Sequence, residues 1–422
     1  MGRALEMPLF VMTAGNWSNA SDAGVFNRNW NNNRTNNSNN VSFRASDYLS
    51  IPDIPRGKTG DIGSDPSRRS AKSAGLCVSV PTGTIHMPKR YSGLFEQCFT
   101  LEALFAAYET ARRGKRKTAT VMRFERDLGA NLQALHDELH AGSYAPQPYR
   151  RFEVVRNKRR TINAPAFRDV IVQHAIYAVI QPIFDRSFIH DSHGCRKNKG
   201  THSASDRAQR FLRQSPRGSY TLQLDIRRFY YRIDRAILRR LVARKIKDRR
   251  LLALMMRFAE HDEPLGVPIG NLLSQIFALI YLNPLDHFIK RELKVKRYVR
   301  YVDDFILFGL TRDAACELRD RIRDWLAEHL RLEFSRWTIA PVSRGVNFVG
   351  FRTWRTTRFV RKHSMHSFSK SLRRGDVRSL NAIMGHAAAT ATLAHFNRRI
   401  AAERRDLIPQ LPLYEVRHAH AV

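Results

Sequence analysis

The sequence predicts an α+β fold, and three features carry that prediction. Helical and strand-like periodicities alternate irregularly, without a steady strand–helix–strand repeat. The segment YTLQLDI (220–226) alternates apolar and polar residues as a half-buried strand does. An acidic turn, Asp303-Asp304, joins two short runs rich in β-branched and aromatic residues, YVRYV and FILF.

The elements follow in chain order. Residues 1–86 are rich in Asn, Ser, Gly and Pro and lack sustained periodicity, so they read as a poorly ordered extension. Order begins near Met87 and opens an N-terminal helical region, 87–150. Leu101, Leu104, Phe105 and Tyr108 fall at helical spacing, and a basic run from Arg112 to Lys117 follows. A second helix is expected from about Phe124 to His140, ended by the Gly and Pro of AGSYAPQP. RDVIVQHAIYAVIQPIFDRSF reads as a third helix with Pro182 late in it. VPIGNLLSQIFALIYLNPLDHFIKREL reads as a loop opening a long buried helix, and CELRDRIRDWLAEHLRLEF as an amphipathic one. VNFVGFRTW is a strand pair, and the tail from about Ser364 is helical and basic.

At 422 residues the chain is long enough for two or three domains with a sizeable core, and 43% of its residues are apolar. Its charge is unbalanced: 72 Lys and Arg against 38 Asp and Glu, a formal net of +34. A solvated surface needs both signs, so this excess points to a polyanion, nucleic acid first and a membrane surface second. No apolar run in the sequence reaches the roughly 18 residues of a membrane span, and no membrane partner is expected. The cysteines Cys77, Cys98, Cys195 and Cys316 make no metal-spaced pair and read as reduced thiols of a cytoplasmic protein.

Two adjacent carboxylates between buried strands repel each other and resist burial, so a turn that keeps both needs a divalent cation or arginines. Alternation places Thr221, Gln223 and Asp225 on one strand face, opposite Leu222 and Leu224. Asp225 then ends a strand that can lie beside the Asp303-Asp304 turn. Three such carboxylates can hold two Mg²⁺ ions roughly 4 Å apart, one for each oxygen of an in-line phosphoryl displacement.

From Met87 onward the chain resembles reverse transcriptases. NKRRTINAPAFRDVIVQHAIYAVIQPIF resembles their fingers block, DSHGCRKNKGTHSA the basic loop after it, and LQLDIRRFYYRID the first aspartate block of the palm. VPIGNLLSQIFALIYLNPLDHF is similar to the template-grip block, YVRYVDDFILF to the catalytic hairpin and VNFVGF to the primer grip. The order of the six makes the resemblance specific. It implies a right-hand polymerase: interleaved fingers and palm over 151–345, with the antiparallel palm sheet bearing the YVDD hairpin, then primer grip and short helical thumb over 346–422. It implies metal ligation by Asp225, Asp303, Asp304 and the Ile226 carbonyl. Tyr230 would exclude ribonucleotides by clash at the sugar 2′ position. Lys158 and Arg160 would grip the incoming deoxynucleoside triphosphate, with Ile269 and Gly270 beside the nucleotide. Arg196, Lys197, Lys199, Ser274, Gln275 and Gly350 would touch template or primer. Tyr231 and His193 depart from the family pattern without removing a metal ligand.

The template-grip block resembles one branch in particular. Ile269-Gly270 and Ser274-Gln275 stand where most reverse transcriptases carry Gln-Gly and Ser-Pro. In this they resemble enzymes of diversity-generating retroelements, which miscopy template adenines. Isoleucine can neither donate nor accept a hydrogen bond, and loss of one worth about 1 kcal/mol loosens discrimination several-fold. The resemblance implies a template RNA and RNA/DNA heteroduplex as partners, a small basic accessory protein, and a bacterial or phage-encoded origin. The alternatives are a retron, group II intron-like or phage-defence enzyme, or a non-catalytic RNA-binding maturase or chaperone.

Between Asn16 and Asn40, eleven of twenty-five residues are asparagine. The stretch resembles the variable end of a diversified target protein, since asparagine codons are adenine-rich. Residues 1–86 are then a translated template repeat and spacer before a start at Met87, or an Asn-rich extension with some use in RNA binding.

Overall fold

A computed structural model describes residues 89–155 and 159–411. The first expected helix forms as Leu101–Ala111, with the Thr100 hydroxyl capping the Ala103 N–H at 3.1 Å. The second is two helices, Ala119–Arg126 and Leu128–Ala141. They break at Asp127, whose φ of −126° and ψ of 51° are not helical, and the Asn131 amide closes the break on the Phe124 carbonyl. The helix Phe167–Asp185 keeps Pro182 in its last turn. Ahead of it lies an antiparallel hairpin, β1 (Arg150–Val155) and β2 (Arg159–Ala164), which periodicity did not reveal because each strand opens on two consecutive arginines rather than on an apolar–polar alternation.

The central sheet holds β3 (Tyr220–Ile226), β4 (Tyr298–Tyr301), β5 (Asp304–Leu310) and β6 (Phe334–Pro341) in the order β4-β5-β3-β6, all antiparallel. The alternation in β3 works as expected. Leu222 and Leu224 enter the main core with Phe305 and Leu307, under Ile276, Tyr281 and Leu285 of the helix Leu272–His287. On the opposite face, Ala208, Phe211 and Leu212 of the helix Thr201–Gln214 cover Ile306 and Phe308. That cover stops short of Gln223, Asp225 and Asp304, which stay half-buried.

One expectation needs correcting. The helical run Leu272–Glu292 is long and apolar enough, by length and composition, to cross a membrane. The sequence hid this because Asn283, Asp286 and His287 interrupt the apolar letters. In the fold 83% of its most apolar window is buried, as the central helix of the core.

A third sheet joins β7 (Val346–Phe348), β8 (Phe351–Thr353) and the unanticipated β9 (Arg358–Val360). Phe351 and Val360 carry it into a second core with the helices Lys362–Arg374, Val377–Ala387 and Thr392–Glu403. Among the described residues, Cys98, Cys195 and Cys316 are free thiols. The architecture is the expected α+β one.

Candidate active site

The fold brings the three aspartates to one sheet edge. Asp225 and Asp304 are direct cross-strand partners of β3 and β5, and Tyr301 pairs with Asp304 across the hairpin. The two-residue loop between them is Val302-Asp303. Val302 sits at φ +56°, a region that a β-branched side chain adopts only at a cost of about 1–3 kcal/mol. The strain is met by close packing. The Arg300 guanidinium donates to the Val302 carbonyl at 2.9 Å, and the Ile226 N–H donates to the Asp303 carbonyl at 3.2 Å. Gly194 lies so close beneath that a Cβ there would stand 2.6 Å from Val302 Cγ2 and 2.8 Å from its backbone nitrogen.

Two of the carboxylates accept from neutral donors. The Ser335 hydroxyl of β6 donates to Asp225 Oδ1. The Gln223 amide donates to Asp304 Oδ1 at 3.0 Å. Burial pushes the Asp304 carboxyl up to about 7; Asp225 and Asp303 add repulsion, while the Gln223 hydrogen bond and Arg361 hold it down. Among the described residues no group of three or more His, Cys, Asp or Glu side chains is gathered tightly enough to hold an ion as it stands. The donor set nonetheless suits one. Hard carboxylate oxygens are what Mg²⁺ takes, and a half-buried, mutually repelling trio is what a divalent charge relieves.

The Tyr230 hydroxyl is buried beside this group. Burial first, then the charges of Cys195 and Asp303, hold its phenol well above the ordinary range, with Arg160 opposing them. Arg160 is exposed on β2 opposite Val154, and Lys158 lies outside the described residues. Gly270, at φ +123°, approaches β2 so closely that a Cβ would meet the Asn163 carbonyl at 2.6 Å, and the Asn163 N–H donates to the Ile269 carbonyl at 2.7 Å. The Ile269 side chain is buried at 5% exposure, a packing position rather than an open surface.

Three expected template contacts are occupied within the fold. Arg196 donates to both oxygens of Asp185, at 2.7 and 3.1 Å, and to the carbonyls of Ile189 and Ser192. The Ser274 hydroxyl is buried and donates to the Pro268 carbonyl at 2.6 Å. The Lys199 ammonium bonds the His190 carbonyl, and burial with Arg196 nearby pulls it down to about 8. A basic loop looks like an anion grip in sequence; here its Arg196 ties the loop to the preceding helix. Lys197 is exposed and Gln275 half-exposed. In the β7–β8 turn Val349 and Gly350 both have positive φ, and the Gly350 carbonyl accepts the Arg361 N–H at 3.2 Å.

Gln223, Ser335, Arg300 and its partner Asp286 were missed as functional residues. Gln223 had a signal, since alternation already placed it on the Asp225 face.

Known proteins now give this geometry a context. The model of the family "Reverse transcriptase (RNA-dependent DNA polymerase)" matches residues 149–353. Protein YkfC of Escherichia coli (strain K12) is 28% identical over 57% of this chain and 74% of its own length. The group II intron-encoded protein LtrA of Lactococcus lactis subsp. cremoris is 30% identical over 39% of this chain, and the match spans only 28% of LtrA. Telomerase from Candida albicans, solved with a fragment of telomeric RNA, overlays 63% of this chain and 58% of its own at 10% identity and a TM-score of 0.41. The family match runs from β1 through β8 and includes all three aspartates, so residues 149–353 form a reverse transcriptase domain, an RNA-directed DNA polymerase.

Proposed function

We propose that the chain copies a template RNA into cDNA, with Asp225, Asp303, Asp304 and the Ile226 carbonyl holding two Mg²⁺ ions. The observation that carries this is the cross-strand pairing of Asp225 with Asp304, with Asp303 in the turn between β4 and β5. When bound, the ions supply activation of the primer 3′-hydroxyl and charge relief on the leaving pyrophosphate. The protein does the rest. Val302, locked by Arg300 and by Gly194, fixes where the two turn carboxylates sit. Ser335 and Gln223 orient Asp225 and Asp304. The Tyr230 ring stands beside them to exclude a ribose 2′-hydroxyl. In this reading the exposed Arg160 meets the triphosphate and the exposed Lys197 a template phosphate. Primer extension on an RNA template with Mg²⁺ and deoxynucleotides tests the reading; a purified, folded chain that extends nothing would defeat it.

Within that activity, we propose copying that is error-prone at template adenines, in a diversity-generating retroelement, alongside a small basic accessory protein in a bacterial or phage cytoplasm. Sequence supports this reading: Ile269-Gly270, Ser274-Gln275 and the asparagine-rich stretch from Asn16 to Asn40. The identity to LtrA favours a second reading, an intron-type enzyme. Sequencing the cDNA separates the two. Substitutions concentrated opposite adenine support the first, and an even, low error spectrum supports the second.

A further inference from the structure

The amide of Gln223 has two N–H groups, and each meets a different part of the site. One donates to Asp304 Oδ1 at 3.0 Å and the other to the Asn347 carbonyl at 2.9 Å. Both partners are acceptors, so the nitrogen end of the amide must face them. The geometry follows from the sheet. Gln223 stands two residues before Asp225, whose cross-strand partner is Asp304, which makes Gln223 and Asp304 diagonal neighbours on one face. Asn347 is the middle residue of β7, which leads into the Val349-Gly350 turn.

We infer that Gln223 is a positioning residue that fixes the β7–β8 turn relative to the Asp304 carboxylate, and so sets where a primer 3′ end lies relative to the metal-holding oxygens. This rests on the reading of the three aspartates as metal ligands and of the β7–β8 turn as a primer grip. A single amide suits the task. It is planar, its two donors diverge at a fixed angle, and neither acceptor can move without breaking one bond. Both bonded elements are themselves anchored: Asp304 in the ladder of β5, and Asn347 opposite Arg352 of β8. Losing the amide leaves the Asp304 carboxylate without its neutral donor and removes the side-chain bond that ties β7 to β3.

The test uses the full chain in primer extension, with Gln223→Met as the variant of matched length and no donors. Thr221→Val is the control: its hydroxyl lies two residues earlier on the same face and bonds only the Ala340 carbonyl, away from the aspartates. Partners behind a metal ligand typically matter ~10–100-fold. Gln223→Met is therefore expected to lower the maximal extension rate ~10–100-fold and to raise the half-saturating Mg²⁺ concentration ~5-fold or more, with KM for deoxynucleotide and affinity for primer–template within about twofold. Thr221→Val should move neither the rate nor the Mg²⁺ requirement. The inference falls if Gln223→Met keeps the wild-type Mg²⁺ requirement and rate, or if the two variants change alike. Asp225→Asn run in parallel separates the failures: full activity in that variant overturns the metal-ligand reading itself.

Discussion

Arg300 and Asp286 form an ion pair in which neither side chain has any exposure, with Nε to Oδ1 at 2.7 Å and Nη2 to Oδ2 at 2.5 Å. The Tyr298 hydroxyl adds a third bond to Asp286 Oδ1 at 2.7 Å, and Arg300 Nη1 reaches forward to the Val302 carbonyl. The pair thus joins the central helix to the turn that carries Asp303. Breaking a buried pair strands a charge, at about 3–5 kcal/mol. Arg300→Met or Asp286→Asn should lower unfolding stability by about that much in denaturant melts. The double variant Arg300→Met/Asp286→Leu should recover much of the stability but not the extension rate, because Val302 still loses its donor. Full recovery of both would mean that the pair serves packing alone.

The aspartates themselves make the next prediction. Asp225→Asn and Asp303→Asn each remove one ligand charge and leave the basic surface intact. Both should abolish Mg²⁺-dependent cDNA synthesis while RNA affinity, measured by filter binding, stays nearly unchanged. Undiminished extension by either would remove that residue from the site.

Asp304 couples this site to pH. Its carboxyl is pushed from an ordinary 3.8 to about 7 by burial and by its acidic neighbours. Between those values the folded protein keeps a proton that the unfolded chain has lost, so this group subtracts stability as pH rises through the window. Mg²⁺ requires the deprotonated form, and its apparent affinity should rise with pH up to about 7 and then level. The Mg²⁺-induced gain in Tm is expected to be larger at pH 8 than at pH 6, and Asp304→Asn should flatten the difference. Equal gains at both pH values in the wild type would show that Asp304 takes no part in holding the ion.

The charge excess predicts a salt response. With a net of +34, binding to single-stranded RNA should weaken with a log–log slope of magnitude above about 4, at roughly 0.7 per phosphate contact. Lys197→Ala should reduce that slope by about one contact's worth. Arg196→Ala should leave the slope alone and destabilise the fold, because its guanidinium is spent on Asp185 and two carbonyls. A flat response in the wild type would make the excess a solvated surface.

These contrasts mark what was legible in the sequence. The face of β3, the YVDD hairpin and the long central helix could be read because period-2 alternation and a long apolar run are local signals. β6 could not: six of its eight residues are polar, aromatic or small, and its strand character comes from pairing with β3. The break at Asp127 was hidden for a similar reason, since residues on both sides favour helix and only the bond from Asn131 to Phe124 marks it. In the site, the acidic cluster was legible because adjacent carboxylates are improbable without a purpose. The partners of Arg196 and Ser274 were not legible, because a sequence shows a donor but not its nearest acceptor. Arg300 and Asp286 stand fourteen positions apart on different elements, and nothing local announces such a pair.

Gly194 gives the sharpest test of the turn. Val302 is held at positive φ by Arg300 from one side and by the close approach of Gly194 from the other. A methyl group there would overlap a backbone nitrogen as well as a side chain, so a rotamer change cannot absorb it. The turn must shift, and the carboxylates of Asp303 and Asp304 with it. Misplacement of about 1 Å at a reacting centre is worth ~100-fold in rate. Gly194→Ala should therefore slow extension ~100-fold at saturating substrates, with a stability loss of only about 1–3 kcal/mol and RNA affinity unchanged. Val302→Ala in the same chain removes the Cγ2 overlap but leaves the one at the backbone nitrogen, so it should restore part of the rate and not all of it. A Gly194→Ala enzyme within a few-fold of wild type would show that the turn tolerates movement and that the strain at Val302 has no bearing on where the carboxylates sit.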